Sequence, residues 1–151
     1  MRLYLVILFI LLVFSATGCV TSSGPTVKEA PIVVPSGKSV IVVYRIPSLK
    51  SAAYRHHVYL NGTLAARLPS KAFTYFTVDP GTYEVSTRTE RNPKILVSYA
   101  QANLDEISYI EYRVGANLAT PDTLRGIEPQ RGAMNLINGY RYEPTVDGFK
   151  P

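Results

Sequence analysis

Apolar and polar residues alternate along much of the chain, most clearly in the stretch FTYFTVDPGTYEV at residues 73–85. The alternation breaks at Asp79-Pro80-Gly81 and then resumes. A period of two is typical of a half-buried β-strand, and proline followed by glycine favours a type II turn with a positive φ at Gly81. The stretch therefore predicts a strand, a turn and a second strand.

The same arrangement recurs upstream. Residues 57–60 and 63–68 flank Asn61-Gly62, a pair that favours a type I′ hairpin because both positions need a positive φ. VIVVY at residues 40–44 has no polar interruption, which is typical of a strand buried on both faces. The residues of the hairpin expected to face inward are Val58, Leu60, Leu64, Ala66 and Leu68.

Two more strands are predicted at residues 95–99 and 107–114. In the first, Ile95, Val97 and Tyr99 alternate with polar or small residues, which is the period expected of a strand. Seven short strands at about ten-residue spacing predict an all-β fold, namely a single antiparallel β-sandwich.

The last third of the chain predicts one short helix. Pro129 and Gly139 bracket it, because proline is favoured at the first helical position and glycine just after the last. Ala133, Met134 and Ile137 are expected to pack this helix against the sheets.

Composition agrees with one small β-rich domain. The 151 residues include eleven Tyr, eleven Pro and ten Gly, which favour short strands and turns over long helices. The net charge is +5, but the lysines and arginines are scattered rather than clustered. Such a surface favours anionic lipid weakly, and nucleic-acid binding is not expected.

The amino terminus predicts export. Arg2 supplies a positive charge, and LYLVILFILLVF at residues 3–14 is a twelve-residue apolar run followed by small residues. As a helix this run would rise only about 18 Å, well short of the roughly 30 Å hydrocarbon core of a bilayer. Residues 1–18 are therefore interpreted as a signal peptide.

The end of this segment, Ala16-Thr17-Gly18-Cys19, resembles the lipobox of bacterial lipoproteins. It departs from the commonest form in having Ala16 where leucine is usual, yet the only cysteine of the chain stands where the motif needs it. The resemblance implies cleavage before Cys19, lipid on Cys19 and stable membrane attachment. Val20 in place of aspartate implies the outer membrane, facing the periplasm. The alternative is an ordinary signal peptide with a coincidental cysteine.

These segments give a domain organisation. Residues 19–38, with three prolines and two glycines, predict a lipidated cysteine and a flexible tether of up to about 60 Å, at about 3.3 Å per residue. The alternative is that residues 32–34 dock as an edge strand. Residues 39–142 form the predicted β-sandwich domain, in which residues 140–142 predict a further strand. Residues 143–151 predict a loose tail.

The order of the strands also resembles a known family. The segments are VIVVYRIPS at residues 40–48, HVYLNGTLAARLPSKAFTYFTVDPGTYEV at residues 57–85, and SYIEYRV at residues 108–114. Over residues 38–115 this order resembles the DUF2846-type domain of bacterial lipoproteins. The turn at residues 104–106 departs from the family pattern because it has no glycine. The resemblance implies a fold and an envelope location, but no activity and no site residues.

Polar residues give little sign of chemistry. His56 and His57 are adjacent, so on a strand they point to opposite faces and cannot easily chelate one metal. Asp79, Asp105 and Glu106 lie in predicted turns, where such side chains commonly bond to the backbone. A lipidated Cys19 would leave no thiol, and no nucleotide-binding loop, zinc spacing or serine-nucleophile motif is present. We expect no enzyme activity, metal or cofactor.

Tyrosines remain as candidates for a ligand surface, namely Tyr54, Tyr59 and Tyr75. The alternative is that such tyrosines are half-buried sheet residues. Further members of the same set are Tyr109, Tyr112, Tyr140 and Tyr142.

The sequence therefore predicts a periplasm-facing lipoprotein of the outer membrane. Its domain is expected to be a non-catalytic structural or protein-interaction module of the cell envelope, which captures a partner through an exposed sheet edge. The alternative is a glycan or small-ligand binding module that uses exposed tyrosines. The expected partners are the membrane, through the lipid on Cys19, and an envelope protein.

Overall fold

The structure, a computed structural model, describes residues 20–88, 94–116 and 119–151. A short 3-10 helix, Leu49–Ser51, follows the first strand, and the only α-helix of the described residues lies between the last two strands. In chain order the elements are β1 (Ser39–Arg45), β2 (His56–Leu60), β3 (Thr63–Leu68), β4 (Ala72–Val78), β5 (Gly81–Arg88), β6 (Leu96–Ala102), β7 (Ile107–Arg113), β8 (Thr123–Ile127), α1 (Pro129–Ile137) and β9 (Arg141–Tyr142).

The strands form two sheets. The five-stranded sheet has the order β8-β7-β1-β4-β9, and the four-stranded sheet has the order β3-β2-β5-β6. All seven strands of the predicted sandwich are present, so the all-β class is confirmed. The further strand predicted at residues 140–142 is present as β9. The seven-stranded, fully antiparallel arrangement is wrong, because β8 and β9 join the five-stranded sheet and β1 pairs in parallel with β7, as β4 does with β9. Both parallel pairs join segments far apart in the chain, whose relative direction no local turn signal specifies.

Strand β1 lies at the centre of the five-stranded sheet, and all its residues are buried. Ile41 and Val43 join the cluster between the two sheets, while Val42 and Tyr44 join a second cluster with residues of α1 and of the segment 27–34. The five-stranded sheet is thus covered on both faces. This confirms the prediction made from the uninterrupted apolar run of β1.

The two predicted turns have different outcomes. Asn61 and Gly62 adopt φ values of 47° and 77°, which confirms the hairpin between β2 and β3. Gly81 has no positive φ, so the predicted type II turn is wrong. Gly81 is instead the first residue of β5, paired with Ala102, and β4 and β5 belong to different sheets. The segment at residues 79–81 therefore passes between the two sheets and does not close a hairpin.

A bulge alters the inward face of the β2–β3 hairpin. Val58 pairs with Ala66 but Tyr59 pairs with Leu64, so Ala65 is an extra residue in β3. Leu64 consequently lies opposite Tyr59 and is not part of the buried cluster, contrary to the prediction. The inward positions predicted correctly are Val58, Leu60, Ala66 and Leu68.

The large apolar residues of β6 lie on its outer face. Ile95, Val97 and Tyr99 are 58%, 47% and 67% exposed, whereas Ala100 and Ala102 are buried. Strand β6 is the last strand of its sheet and lies close to β7 and β8 of the other sheet. Small alanine side chains suit this close approach, so the larger apolar residues lie on the outer face.

Helix α1 begins at Pro129, and Gly139 beyond its end has a φ of 82°, as predicted. Ala133 packs against the sheet, but Met134 and Ile137 are 69% and 47% exposed, so this part of the prediction is wrong. Leu136 is buried in their place. The buried face of the helix differs from the predicted face because its closest contact with the sheet is made by a glycine, Gly132.

The segment before β1 is bound to the domain from Ser22 onward, which differs from the predicted flexible tether. Ser22 is buried and its hydroxyl donates to the carbonyl of Tyr142, whose own N–H donates to the carbonyl of Pro25 at 2.9 Å. Ile32 and Val34 pack against the α1 side of the five-stranded sheet without forming a strand. The segment is held because it supplies hydrogen bonds to the outer edge of β9.

The predicted loose tail is also docked. The N–H of Val146 donates to the carbonyl of Ala65 at 2.8 Å, which covers part of the free edge of β3. The ring of Phe149 lies 5.4 Å from that of Phe76, and Phe149 packs against the cluster between the sheets. An apolar residue near the carboxyl terminus thus anchors the tail.

Candidate functional site

The outer face of the four-stranded sheet carries exposed apolar side chains. Val97 and Tyr99 of β6 point away from the core, and Ile95 just before β6 has the same parity. Neighbouring strands extend this face. Ser86 of β5 pairs with both Val97 and Tyr59 of β2, so its small side chain lies between two larger ones. We call this set of residues the outer-face patch.

Basic groups border the outer-face patch. The guanidinium of Arg88 lies 4.9 Å from the ring centroid of Tyr59, a cation–π contact, and the exposed Arg67 pairs across the sheet with His57. Glu84 pairs with Tyr99 and supplies a carboxylate. Tyrosine and arginine next to exposed aliphatic groups are the residue types that concentrate binding energy at protein interfaces.

A polar cluster is buried between the two sheets, at the end of β1. Arg45 is fully buried and donates to the carbonyls of Ser51, Tyr54 and Leu68 at 2.7, 2.7 and 3.0 Å. Its guanidinium thereby ties the connection between β1 and β2 to the end of β3. The strand directions place Arg45 there because it continues the inward face of Ile41 and Val43.

His56 and Tyr112 complete this cluster. Nδ1 of His56 lies 2.5 Å from the hydroxyl oxygen of Tyr112, and both side chains are buried. Burial, with the nearby charge of Arg45 and the proximity of His57, lowers the pKa of His56 to about 3. Burial likewise lowers the pKa of Arg45 to about 10. At neutral pH the imidazole is therefore neutral and the guanidinium charged.

This buried cluster is better suited to holding the fold than to catalysis. The imidazole is hydrogen-bonded to Tyr112 and is too weak a base to take a proton near neutral pH. The guanidinium donates hydrogen bonds to backbone carbonyls. Within the described ranges no group of three His, Cys, Asp or Glu side chains could hold a metal ion. The same ranges contain no helix with the length and apolarity that a membrane crossing requires.

A second buried charge lies on the α1 side of the five-stranded sheet. The Glu111 carboxylate accepts hydrogen bonds from Arg125, Arg113 and Tyr44 at 3.1, 3.4 and 3.2 Å. Burial alone raises the pKa of Glu111, but the Arg125 hydrogen bond, the charge of Arg113 and the Tyr44 hydrogen bond outweigh it, so the pKa lies below its usual value. Asn135 of α1 also donates to the Tyr44 hydroxyl, at 3.0 Å. These hydrogen bonds connect β1, β7 and β8 of the five-stranded sheet to α1.

The three tyrosines proposed from the sequence do not share one surface. Tyr59 lies on the outer face of the four-stranded sheet, whereas Tyr75 packs on the opposite side of the molecule, against Tyr142. Tyr54 lies in the connection before β2 and is partly exposed. The remaining members of the set are buried or half-buried sheet and helix-side residues, namely Tyr109, Tyr112, Tyr140 and Tyr142.

Other predicted positions are mostly explained by the fold. His56 and His57 point to opposite faces, as expected. Asp79 pairs with Lys38 at 2.6 Å. Asp105 accepts a hydrogen bond from the N–H of Gly37 at 2.9 Å and adopts a φ of 58°, the conformation for which glycine is usual in this turn. Four further residues lie outside the described ranges, namely Ala16, Thr17, Gly18 and Cys19.

Sequence reasoning missed the outer-face patch and the Arg45 cluster. The available signal for Arg45 is that a single charged residue directly follows the uninterrupted apolar run at residues 40–44. For the patch, no signal distinguished the two faces of β6, because periodicity identifies alternation but not the buried side.

The family model for DUF2846, a protein of unknown function, matches residues 35–120. No curated protein and no solved structure matches the chain. The match includes β1 to β7 and the connection after β7, which is more than half of the chain. It also agrees with the resemblance noted over residues 38–115. The chain therefore belongs to the DUF2846 family of proteins of unknown function.

Proposed function

We propose that the protein is a lipid-anchored, non-catalytic interaction module of the cell envelope. Lipid on Cys19 would hold it on the periplasmic side of the outer membrane, and the two sheets, which we class as a β-sandwich with an added helix, would present a partner surface. Support for the anchor comes from the lipobox-like residues that end at Cys19. Support for the non-catalytic role comes from the buried cluster, whose polar groups serve the fold.

The outer-face patch is the proposed partner surface. The observation that carries this is the exposure of Val97 and Tyr99 on a regular, well-paired strand, where outward-facing positions are normally polar. The bordering Arg67 and Arg88 favour a protein partner with acidic residues around an apolar centre. The sequence alone favours capture through a sheet edge. The chain itself covers the edge of β9 and part of the edge of β3, while β6 and β8 form the other two outer edges. The face is favoured over those edges because it carries Val97 and Tyr99 in exposed positions.

A glycan ligand is the second candidate. It is favoured by the position of Tyr59 and Tyr99 on the same face, since aromatic rings on a sheet can stack on sugar rings. Arg88 already lies against the ring of Tyr59, which would compete with such stacking. We therefore rank a protein partner above a glycan.

In-cell photo-crosslinking tests the partner surface. A photoreactive amino acid at Val97 or Tyr99 should give one dominant adduct with an envelope protein. The same group at Met134, equally exposed but on the helix side, should not give that adduct. If positions 97 and 99 capture only peptidoglycan fragments, the glycan candidate replaces the protein partner. If all three positions give the same products, the patch is not a specific surface.

The lipid anchor has its own test. Cys19→Ser should leave the protein unprocessed and unacylated, because the sulfur that accepts the lipid is absent. Mass spectrometry of the purified protein would show the retained signal peptide. A variant that is still cut before residue 19 and remains equally membrane-bound would refute the lipoprotein assignment.

A further inference from the structure

The distance between the lipid and the folded domain is set by where the chain first binds to the domain. That point is Ser22, which is buried and hydrogen-bonded to Tyr142 of β9. Only residues 20 and 21 lie between it and Cys19. Three residue steps span at most about 10 Å, whereas a tether free to residue 38 would reach about 60 Å.

Several contacts fix this segment in place. Thr26 forms a β-bridge with Arg141, and the guanidinium of Arg141 donates to the carbonyl of Gly24 at 3.0 Å. Gly24 lies so close to the backbone of Tyr142 that an added Cβ atom would overlap the Tyr142 carbonyl oxygen. The segment is therefore seated closely on the edge of β9, and glycine at position 24 permits it.

From this seating, and resting on the proposed lipid anchor, we infer that the domain lies directly against the lipid surface. The edge that faces the membrane is formed by β9 and by the neighbouring edge of β3, which the tail covers near Thr145. The partner of this edge is the headgroup layer of the bilayer that holds the lipid of Cys19.

The charges of this edge are compatible with a headgroup layer. Arg141 is exposed, and Arg55 is paired with Glu143, which immediately follows β9. The carboxylate of Glu29 interacts electrostatically with the guanidinium of Arg141. Lys28 and Lys71 are also exposed beside this edge, so positive charge is in slight excess. The short connection to Cys19, more than this weak attraction to anionic lipid, determines the orientation.

The orientation also decides what remains accessible. Strand β6 is three strands away from β3 in the four-stranded sheet, which corresponds to about 14 Å at about 4.8 Å per strand. The outer-face patch at Val97 and Tyr99 therefore lies at the edge remote from the anchor. A domain seated in this way holds its partner surface away from the membrane and open to the aqueous compartment.

Thiol labelling can test this with the lipidated, full-length protein in vesicles of phosphatidylcholine and phosphatidylglycerol. Because Cys19 is the only cysteine, an acylated protein has no other thiol, and single variants Pro144→Cys and Tyr99→Cys each carry one fluorophore. Pro144 is exposed beside the anchored edge. A headgroup-attached quencher should quench the fluorophore at position 144 several-fold more than the one at position 99.

Adding Gly24→Ala should release the segment and reduce quenching at position 144 to the level at position 99. Gly126→Ala, where an added Cβ atom meets nothing within 4 Å, is the matched control and should change neither signal. If the unsubstituted protein takes up the label, Cys19 carries no lipid, and the anchor and this inference are overturned together. A blocked Cys19 with equal quenching at positions 144 and 99, or no effect of Gly24→Ala, overturns the seating alone.

Discussion

Gly132 of α1 lies against the ring of Tyr109, so close that an added Cβ atom would overlap Cγ of that ring. Tyr109 is buried in β7 and points towards α1. The contact explains why the helix packs through Gly132 and Leu136 and leaves Met134 in solvent. Backbone and ring approach directly, with no side chain between them.

Gly132→Ala is expected to destabilise the protein. Alanine is favoured over glycine inside a helix by about 1 kcal/mol, but here its methyl group must displace the ring of Tyr109 or the whole helix. Overpacking of this kind costs about 1–3 kcal/mol, so we expect a net loss in the free energy of unfolding. Urea denaturation would measure it, and an unchanged or higher midpoint would contradict the close contact.

A second helix variant pair tests which face is buried. Leu136→Ala should lower the free energy of unfolding by about 2–5 kcal/mol, the usual effect of truncating a buried leucine. Met134→Ala should change it by less than about 0.5 kcal/mol because that side chain is largely exposed. Equal losses in the two variants would show that the helix is rotated from its observed position.

The helix shows how far the sequence could predict this fold. Its ends were predictable because Pro129 and Gly139 act locally, through a fixed φ and a positive φ. Its buried face was not, because an apolar pattern cannot show that a glycine makes the closest contact. The same limit applies to β6, where alanines are buried and Val97 and Tyr99 are exposed.

Long-range pairing sets the other limit. The Asn61-Gly62 hairpin follows from two residues, whereas the parallel pairing of β1 with β7 joins Val40 to Ile107 and has no local signal. The hydrogen bond from Ser22 to Tyr142 also joins residues far apart in the chain and has no local signal. A proline-rich segment was reasonably expected to be flexible, but its backbone meets an unpaired edge that only the folded chain creates.

Arg45→Met should be strongly destabilising. Methionine roughly fills the space of the side chain but leaves the carbonyls of Ser51, Tyr54 and Leu68 without this donor. A buried carbonyl left without a donor costs about 1–3 kcal/mol, so the loss over these carbonyls should be about 3 kcal/mol or more. Arg55→Met, at a partly exposed arginine in an ion pair, is the matched control and should lose at most about 1 kcal/mol. Calorimetry would separate the two.

The buried imidazole of His56 predicts a pH dependence of stability. Its pKa falls from an ordinary value of 6.5 to about 3 in the folded protein, chiefly through burial. Between these two values the unfolded chain binds a proton that the folded chain does not. The free energy of unfolding must therefore decrease as the pH falls from about 6.5 towards 3, and the contribution is fully present only above 6.5.

His56→Gln removes this titrating group while keeping a polar side chain that can reach the hydroxyl of Tyr112. Urea unfolding at a series of pH values from 7 to 5 should therefore show a shallower loss of stability for His56→Gln than for the unsubstituted protein. Carboxylates such as Glu111 titrate lower and contribute little to this window. His57→Gln, the neighbouring change on the outer face, should keep the component contributed by His56. If His56→Gln and the unsubstituted protein lose stability in parallel, His56 is not held neutral in the folded state.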